Sequence, residues 1–244
     1  MHHMLKEILE QKRMDIKQSK QHAFLRLFRK NKLVLIGEVK IASPSAGILL
    51  TRERLIPTAQ SYANAKIDAI SVITETHFFH GDILDVQKVK VAISLPILQK
   101  DFIINTQQIY EAKAAGSDAL LLIARIVSRK KLALFVEVCL KLKIDPVVEI
   151  NNSADLQKAL QTKTRIIAVN ARDLNTFNVD VEKACRLIKK IPVRYVKLGF
   201  SGIRGSKEVA MYKKAYVNGI LIGTSLVKEV NVDAFLSSLN TKAQ

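Results

Sequence analysis

The chain has 244 residues, 48% hydrophobic and 25% charged. It is long enough to bury a large core without disulfide staples, and no apolar run approaches the ~18 residues that a membrane span needs. Lys and Arg outnumber Asp and Glu by 39 to 22, yet the lysines are spread over helix-like segments, from Lys88 and Lys90 to Lys213 and Lys214, with no interleaved aromatics; this argues against nucleic acid as the partner and reads as lysine-rich surface composition, with steering of an anionic substrate as a side benefit.

The segment 4–29 carries apolar residues at helical spacing (Leu5, Ile8, Leu9, Met14, Ile16) among charges. It predicts a helical extension over 1–30 that is unlike a signal peptide, and with it a soluble, cytoplasmic protein. Met1-His2-His3 reads equally as native chain or as a tag remnant. Strands are then expected at 34–40, 69–74, 96–102, 119–124, 146–150, 165–170, 195–200 and 219–223. Runs such as Leu120-Leu121-Leu122-Ile123 and Ile166-Ile167-Ala168-Val169 are nearly continuous in apolar character, as parallel strands covered on both faces require. Each is trailed by an amphipathic stretch, for example 107–115 or 181–190. The alternation predicts an α/β fold, a (β/α)8 TIM barrel, as a single domain over 1–244 with the barrel at 34–240, close to the ~250 residues typical of that architecture. No Pro/Gly/Ser-rich hinge divides it. Cys139 and Cys185 lack partner spacing and read as small apolar fillers.

Barrels of this kind keep their chemistry at the C-terminal ends of the strands. In Ile36-Gly37-Glu38-Val39-Lys40 the carboxylate and the ammonium stand two residues apart, on one face of an extended strand. The following strand ends add Thr74 and Glu75, Lys100 and Asp101, Arg125, Glu149, Asn170 and Arg172, Ser201 and Thr224. Two amines and two acids in one cleft suit proton transfer on an anionic substrate. Lys40 and Lys100 stand out, because an unpaired ammonium at the end of an apolar strand is costly. After the last two strands, Ser201-Gly202-Ile203 and Ile222-Gly223-Thr224-Ser225 offer backbone amides of the kind that hold phosphate. No His/Cys/carboxylate cluster has metal spacing.

These blocks carry a family resemblance. The chain resembles indole-3-glycerol-phosphate synthase in Leu5-Lys6-Glu7-Ile8-Leu9-Glu10-Gln11-Lys12-Arg13, in Gly37-Glu38-Val39-Lys40 with Ser43-Pro44-Ser45, and in Ile70-Ser71-Val72-Ile73-Thr74-Glu75 with Phe78-Phe79-His80-Gly81. Further on it does so in Pro96-Ile97-Leu98-Gln99-Lys100-Asp101-Phe102-Ile103-Ile104, Gln108-Ile109-Tyr110-Glu111-Ala112, Val148-Glu149-Ile150, Val169-Asn170-Ala171-Arg172-Asp173-Leu174 and Ser201-Gly202-Ile203. The Lys-Asp-Phe-Ile and Asn-x-Arg-Asp-Leu blocks are the most specific of these.

The resemblance implies ring closure of 1-(2-carboxyphenylamino)-1-deoxyribulose 5-phosphate, with loss of carbon dioxide and water, to indole-3-glycerol phosphate. It implies Lys100 as the acid at the ketone and Glu38 as stabiliser of positive charge. Glu149 would serve the dehydration and Lys40 would hold the substrate carboxylate, with the lysine and glutamate roles exchangeable between steps. Asn170 would orient the hydroxyls, Arg172 and Ser201 would support the bound substrate, and Ser43, Gly202, Gly223 and Thr224 would take the phosphate. Neither metal nor organic cofactor is expected. The expected partner is the anionic phosphate substrate alone, met by a monomer, with contacts to other tryptophan-pathway enzymes conceivable. One position departs from the pattern: where the family usually shows Glu-Ser-Gly-Ile, this chain has Phe200-Ser201-Gly202-Ile203. The other readings are a sister phosphate-binding barrel of the phosphoribosylanthranilate isomerase type, a catalytically weakened barrel, and a non-enzymatic basic binding module.

Overall fold

The structure is a computed structural model that describes Met4, Lys6, Glu7 and residues 22–29 and 32–239. Eight parallel strands close into a barrel in chain order: β1 (Val34–Val39), β2 (Ala69–Ile73), β3 (Ile97–Lys100), β4 (Ala119–Ile123), β5 (Asp145–Ile150), β6 (Ile166–Asn170), β7 (Val196–Phe200) and β8 (Gly219–Ile222). Closure is made by β1, which pairs with β2 on one side and with β8 on the other, Val34 opposite Gly219. The helices α1 (Leu55–Asn64), α2 (Ile83–Ala92), α3 (Thr106–Ala115), α4 (Arg129–Lys141), α5 (Ser153–Leu160), α6 (Val181–Lys189) and α7 (Ser206–Lys214) alternate with the strands. After β8 come the short α8 (Thr224–Val227) and then α9 (Val232–Ser238). None of these described helices is long and apolar enough to cross a membrane.

Local chemistry sets these boundaries. Asp82, Asn105, Ser128, Asn152 and Asp180 each accept a backbone N–H with the side chain at the start of α2 to α6, a cap worth about 1 kcal/mol. Gly116, at φ 89°, ends α3 in the left-handed region. The third strand stops at Lys100 although the apolar run continues, because Asp101 turns out of the ladder. Its carboxylate takes the Thr74 hydroxyl at 2.5 Å and the Phe102 N–H at 2.7 Å.

Strand parity divides the core in two. One set of side chains, including Leu35, Ile70, Ile97, Val148 and Ile167, packs outward against the helices with Leu132, Phe135 and Cys139; Cys185 is only half-buried. The other set, including Val34, Ile36, Leu98, Leu121, Val147, Ala168, Leu198 and Leu221, fills the barrel interior. The lower end is plugged by the turn Ala23–Arg26 and by Leu27–Arg29. Phe24 is buried in the inner cluster, edge-on to Phe28 at 5.6 Å. Asp145, at the start of β5, fastens this plug by accepting the Leu25 N–H at 2.9 Å and contacting His22 Nδ1 at 2.5 Å. Of the expected extension, this segment and Met4, Lys6 and Glu7 are helical; the positions 8–21 and the rest of the block 5–13 lie outside the described residues.

Candidate active site

On β1, β3, β5 and β6 the inward-facing side chains turn from apolar to polar toward the strand's C-terminal end. Going up β1 they run Val34, Ile36, Glu38 and then Lys40; β3 gives Leu98 and Lys100, β5 gives Val147 and Glu149, and β6 gives Ala168 and Asn170. Period-two geometry therefore points these polar groups into one space above the barrel core. They line a cavity of about 460 Å³ together with Ser43, Arg172, Ser201, Gly202, Gly223 and Thr224. All the residues singled out from the sequence for catalysis, substrate and phosphate meet there.

Glu38 sits between the two amines. Lys40 Nζ donates to its Oε1 at 2.7 Å and Lys100 Nζ to its Oε2 at 3.2 Å. Burial raises the carboxyl's pKa, but Lys100 and Lys40 outweigh that and pull it down to about 2. Lys100 shows the same balance from the other side, since burial works against its charge while Glu38 and then Glu149 raise it above the ordinary lysine value. Across the cavity, Glu149 accepts from Asn170 Nδ2 at 3.2 Å and its Oε2 is buried with no hydrogen-bond partner among the described residues. Burial pushes Glu149 above the ordinary carboxyl range, and the pull of Lys100 only partly offsets it. Asn170 is held in turn, its Oδ1 accepting the Arg172 N–H at 3.0 Å and its backbone carbonyl accepting from Asn151 at 2.9 Å.

The glycine turns lie beside this group. Ser201 (φ 69°) and Gly202 (φ 79°) are both left-handed, and a Cβ on Gly202 would come within 2.5 Å of Val181. The Tyr212 hydroxyl donates to the Ser201 carbonyl at 2.9 Å, and Ser225 Oγ to the Ile203 carbonyl at 2.5 Å, stitching the two turns together. A Cβ on Gly223 would stand 2.4 Å from Glu38 Oε1. Ser43 Oγ, on the hairpin of Ala42–Ser43 with Gly47–Ile48, is buried and unpartnered among the described residues. These features leave donors and room for an anionic tail.

Not every polar strand end joins in. Thr74 is buried and spends its hydroxyl on Asp101, and Arg125 turns to Asp173 at 3.7 Å. Glu75 lines the cavity rim with its carboxylate tied down by the N–H groups of His77, Phe78 and Phe79. Phe177, Arg204 and Lys228, which the sequence did not single out, also line the cavity, as does Leu174 of the Asn-x-Arg-Asp-Leu block; Arg204 and Lys228 carry no signal among so many cations. Phe200 completes the inner stripe of β7 above Leu198, is fully buried, and lies with its ring centroid 5.5 Å from Lys100 Nζ.

Comparison with known proteins accords with this geometry. Residues 3–239 match the family model for indole-3-glycerol phosphate synthase. Among curated relatives, the indole-3-glycerol phosphate synthase of Caldanaerobacter subterraneus subsp. tengcongensis is 40% identical over 205 residues, covering 84% of this chain and 80% of the relative. That of Thermoanaerobacter sp. is 37% identical over 237 residues, covering 94% and 91%. Among solved structures, a 3-hexulose-6-phosphate synthase superposes with a TM-score of 0.68 at 14% identity, covering 85% of this chain and 98% of that one; at that identity the likeness is one of fold. The chain belongs to the indole-3-glycerol phosphate synthase family, carboxy-lyases of tryptophan biosynthesis.

Proposed function

We propose that, in the family's reaction, Lys100 is the general acid that makes the substrate ketone electrophilic and Glu149 the group that carries the later dehydration. The ring carbon bearing the carboxylate attacks the ketone carbon, and the ketone oxygen takes the Lys100 proton to become a hydroxyl. Positive charge spreads onto the anilino nitrogen as this bond forms, and Glu38, kept ionised by its two amines, stabilises it. Lys40 holds the departing carboxylate. Carbon dioxide then leaves, and its bond electrons restore the aromatic ring. Protonated Glu149 passes its proton to the new hydroxyl, which departs as water, and the carboxylate so formed takes a proton from the adjacent methylene to leave the indole. Asn170 keeps Glu149 in line, Arg172 and Ser201 bracket the sugar chain, and Ser43 with the amides of Gly202, Gly223 and Thr224 receives the phosphate.

The observation that carries this reading is the opposed state of the two acids, one paired with two amines and one left half-satisfied, in a single cavity beside two glycine turns. An acid/base enzyme needs its two carboxyls held apart in pKa in this way. The test is the appearance of indole fluorescence from 1-(2-carboxyphenylamino)-1-deoxyribulose 5-phosphate. Lys100→Ala is expected to cut kcat by about 100-fold or more while the fold persists. Turnover unchanged by that substitution would remove Lys100 from the mechanism, and absence of indole from the unaltered chain would mark a weakened barrel.

A further inference from the structure

Lys100 is held less firmly than its surroundings first suggest. Of the two oxygens of Glu38, the closer contact belongs to Lys40 at 2.7 Å, and Lys100 is left with 3.2 Å, long for a charge-assisted bond. Glu149 attracts it, but the hydrogen bond of Glu149 goes to Asn170. The charged groups around the ammonium are thus Glu38 from β1, Lys40 just past its end, Glu149 from β5 and Arg172 beyond β6. From the opposite side of the barrel, β7 presents a ring where the family motif carries a carboxylate, and the ammonium lies 5.5 Å from its centroid, within the ~6 Å over which a π face attracts a cation.

We infer that Phe200 is a positioning residue for the family's reaction, its ring face holding the Lys100 ammonium at the cavity floor in the place of the missing carboxylate. The inference rests on the assignment of Lys100 as the acid. Two physical consequences separate a ring from a carboxylate here. A ring attracts the ammonium without competing for its proton, so the proton stays available to substrate. A ring also adds no negative charge near Glu149, whose ionisation is already opposed by burial and by Glu38. Phe200 has no exposed surface and its packing partners Leu198 and Leu221 are apolar, so it acts through Lys100 rather than on substrate.

The test grades the ring's electrostatics at nearly constant shape. Phe200 is replaced by 4-fluoro-, 3,5-difluoro- and 3,4,5-trifluorophenylalanine, each fluorine withdrawing density from the ring face. The basic limb of the kcat profile, set by loss of the Lys100 proton, should move to lower pH in the order of fluorine number, with KM held within about twofold. The Cε resonance of 13C-labelled Lys100, assigned by its disappearance in Lys100→Arg, should titrate to lower pH in the same order, and this readout does not depend on turnover. Phe200→Leu marks the end of the series, with kcat down about three- to thirtyfold, the rate equivalent of one cation–π contact. A basic limb and a Cε titration that stay put across the fluorinated series would overturn the inference. That outcome is distinct from failure of the Lys100 assignment, which Lys100→Ala reads separately.

Discussion

Glu38 and Glu149 are the same residue type at the same level of the same barrel, both buried, yet they are pushed in opposite directions. Glu38 sits between two ammonium groups and is drawn down to about 2. Glu149 has one amide donor and a bare oxygen, and burial lifts it above the ordinary range. The contrast teaches that the work open to a carboxyl is set by its neighbours: two amines keep the first ionised as a fixed negative charge, and burial makes the second hold a proton more readily than an ordinary carboxyl.

The sharpest way to break the comparison is to make each acid neutral. Glu38→Gln and Glu149→Gln should each lower turnover by about 100-fold or more, read as indole formed per enzyme, but their stabilities should part company. Glu38→Gln leaves two amines facing each other without a counter-charge and should cost about 3 kcal/mol, whereas Glu149→Gln removes an acid whose ionised form the fold disfavours and should raise the Tm. Equal Tm shifts in the two variants would refute the contrast.

Next in size is Gly223→Ala. Its new Cβ would meet Glu38 Oε1 at 2.4 Å and Lys40 Nζ at 3.1 Å, so the carboxylate must swing aside, and kcat/KM should fall about tenfold. An unaltered kcat/KM would mean that the position of Glu38 does not matter.

The smallest effect is on acid stability. Glu38 has a folded-state pKa below its ordinary 4.5, so its contribution is full above about 4.5 and is lost as pH falls toward about 2. Glu149 is shifted the other way, and its cost to stability appears only as pH rises past 4.5. Urea midpoints measured from neutral pH downward should therefore fall less steeply in Glu38→Gln than in the unaltered chain, and more steeply in Glu149→Gln. Phe200→Glu adds a sign test on activity: a second carboxylate beside Lys100 should move the basic limb up in pH, opposite to Phe200→Leu.

Much of this was legible before any coordinates. Parallel strands buried on both faces leave continuous apolar runs that cannot be mistaken for amphipathic helices of that length, and all eight expected strands are present. The meeting of Glu38, Lys40, Lys100, Glu149 and Asn170 follows from the same logic, because each ends an inward stripe. What was not legible depends on contacts between distant segments. Nothing in Asp101 itself announces that it leaves the ladder to meet Thr74, nor in Arg125 that it turns to Asp173. The ordering of the two amines on Glu38 is likewise a matter of a few tenths of an ångström. Phe200 is intermediate: its two-residue spacing from Leu198 signals an inward ring, but which ion lies over that ring is a fact of three dimensions.

The plug formed by Phe24 and its neighbours gives the molecule a consequence for traffic. With apolar side chains filling the interior and Phe24 seated at its lower end, the described residues leave the reacting groups open toward the C-terminal ends of the strands. The gas released in mid-reaction then leaves by the end at which the sugar phosphate came in, so the smallest product has to pass while the largest is still held.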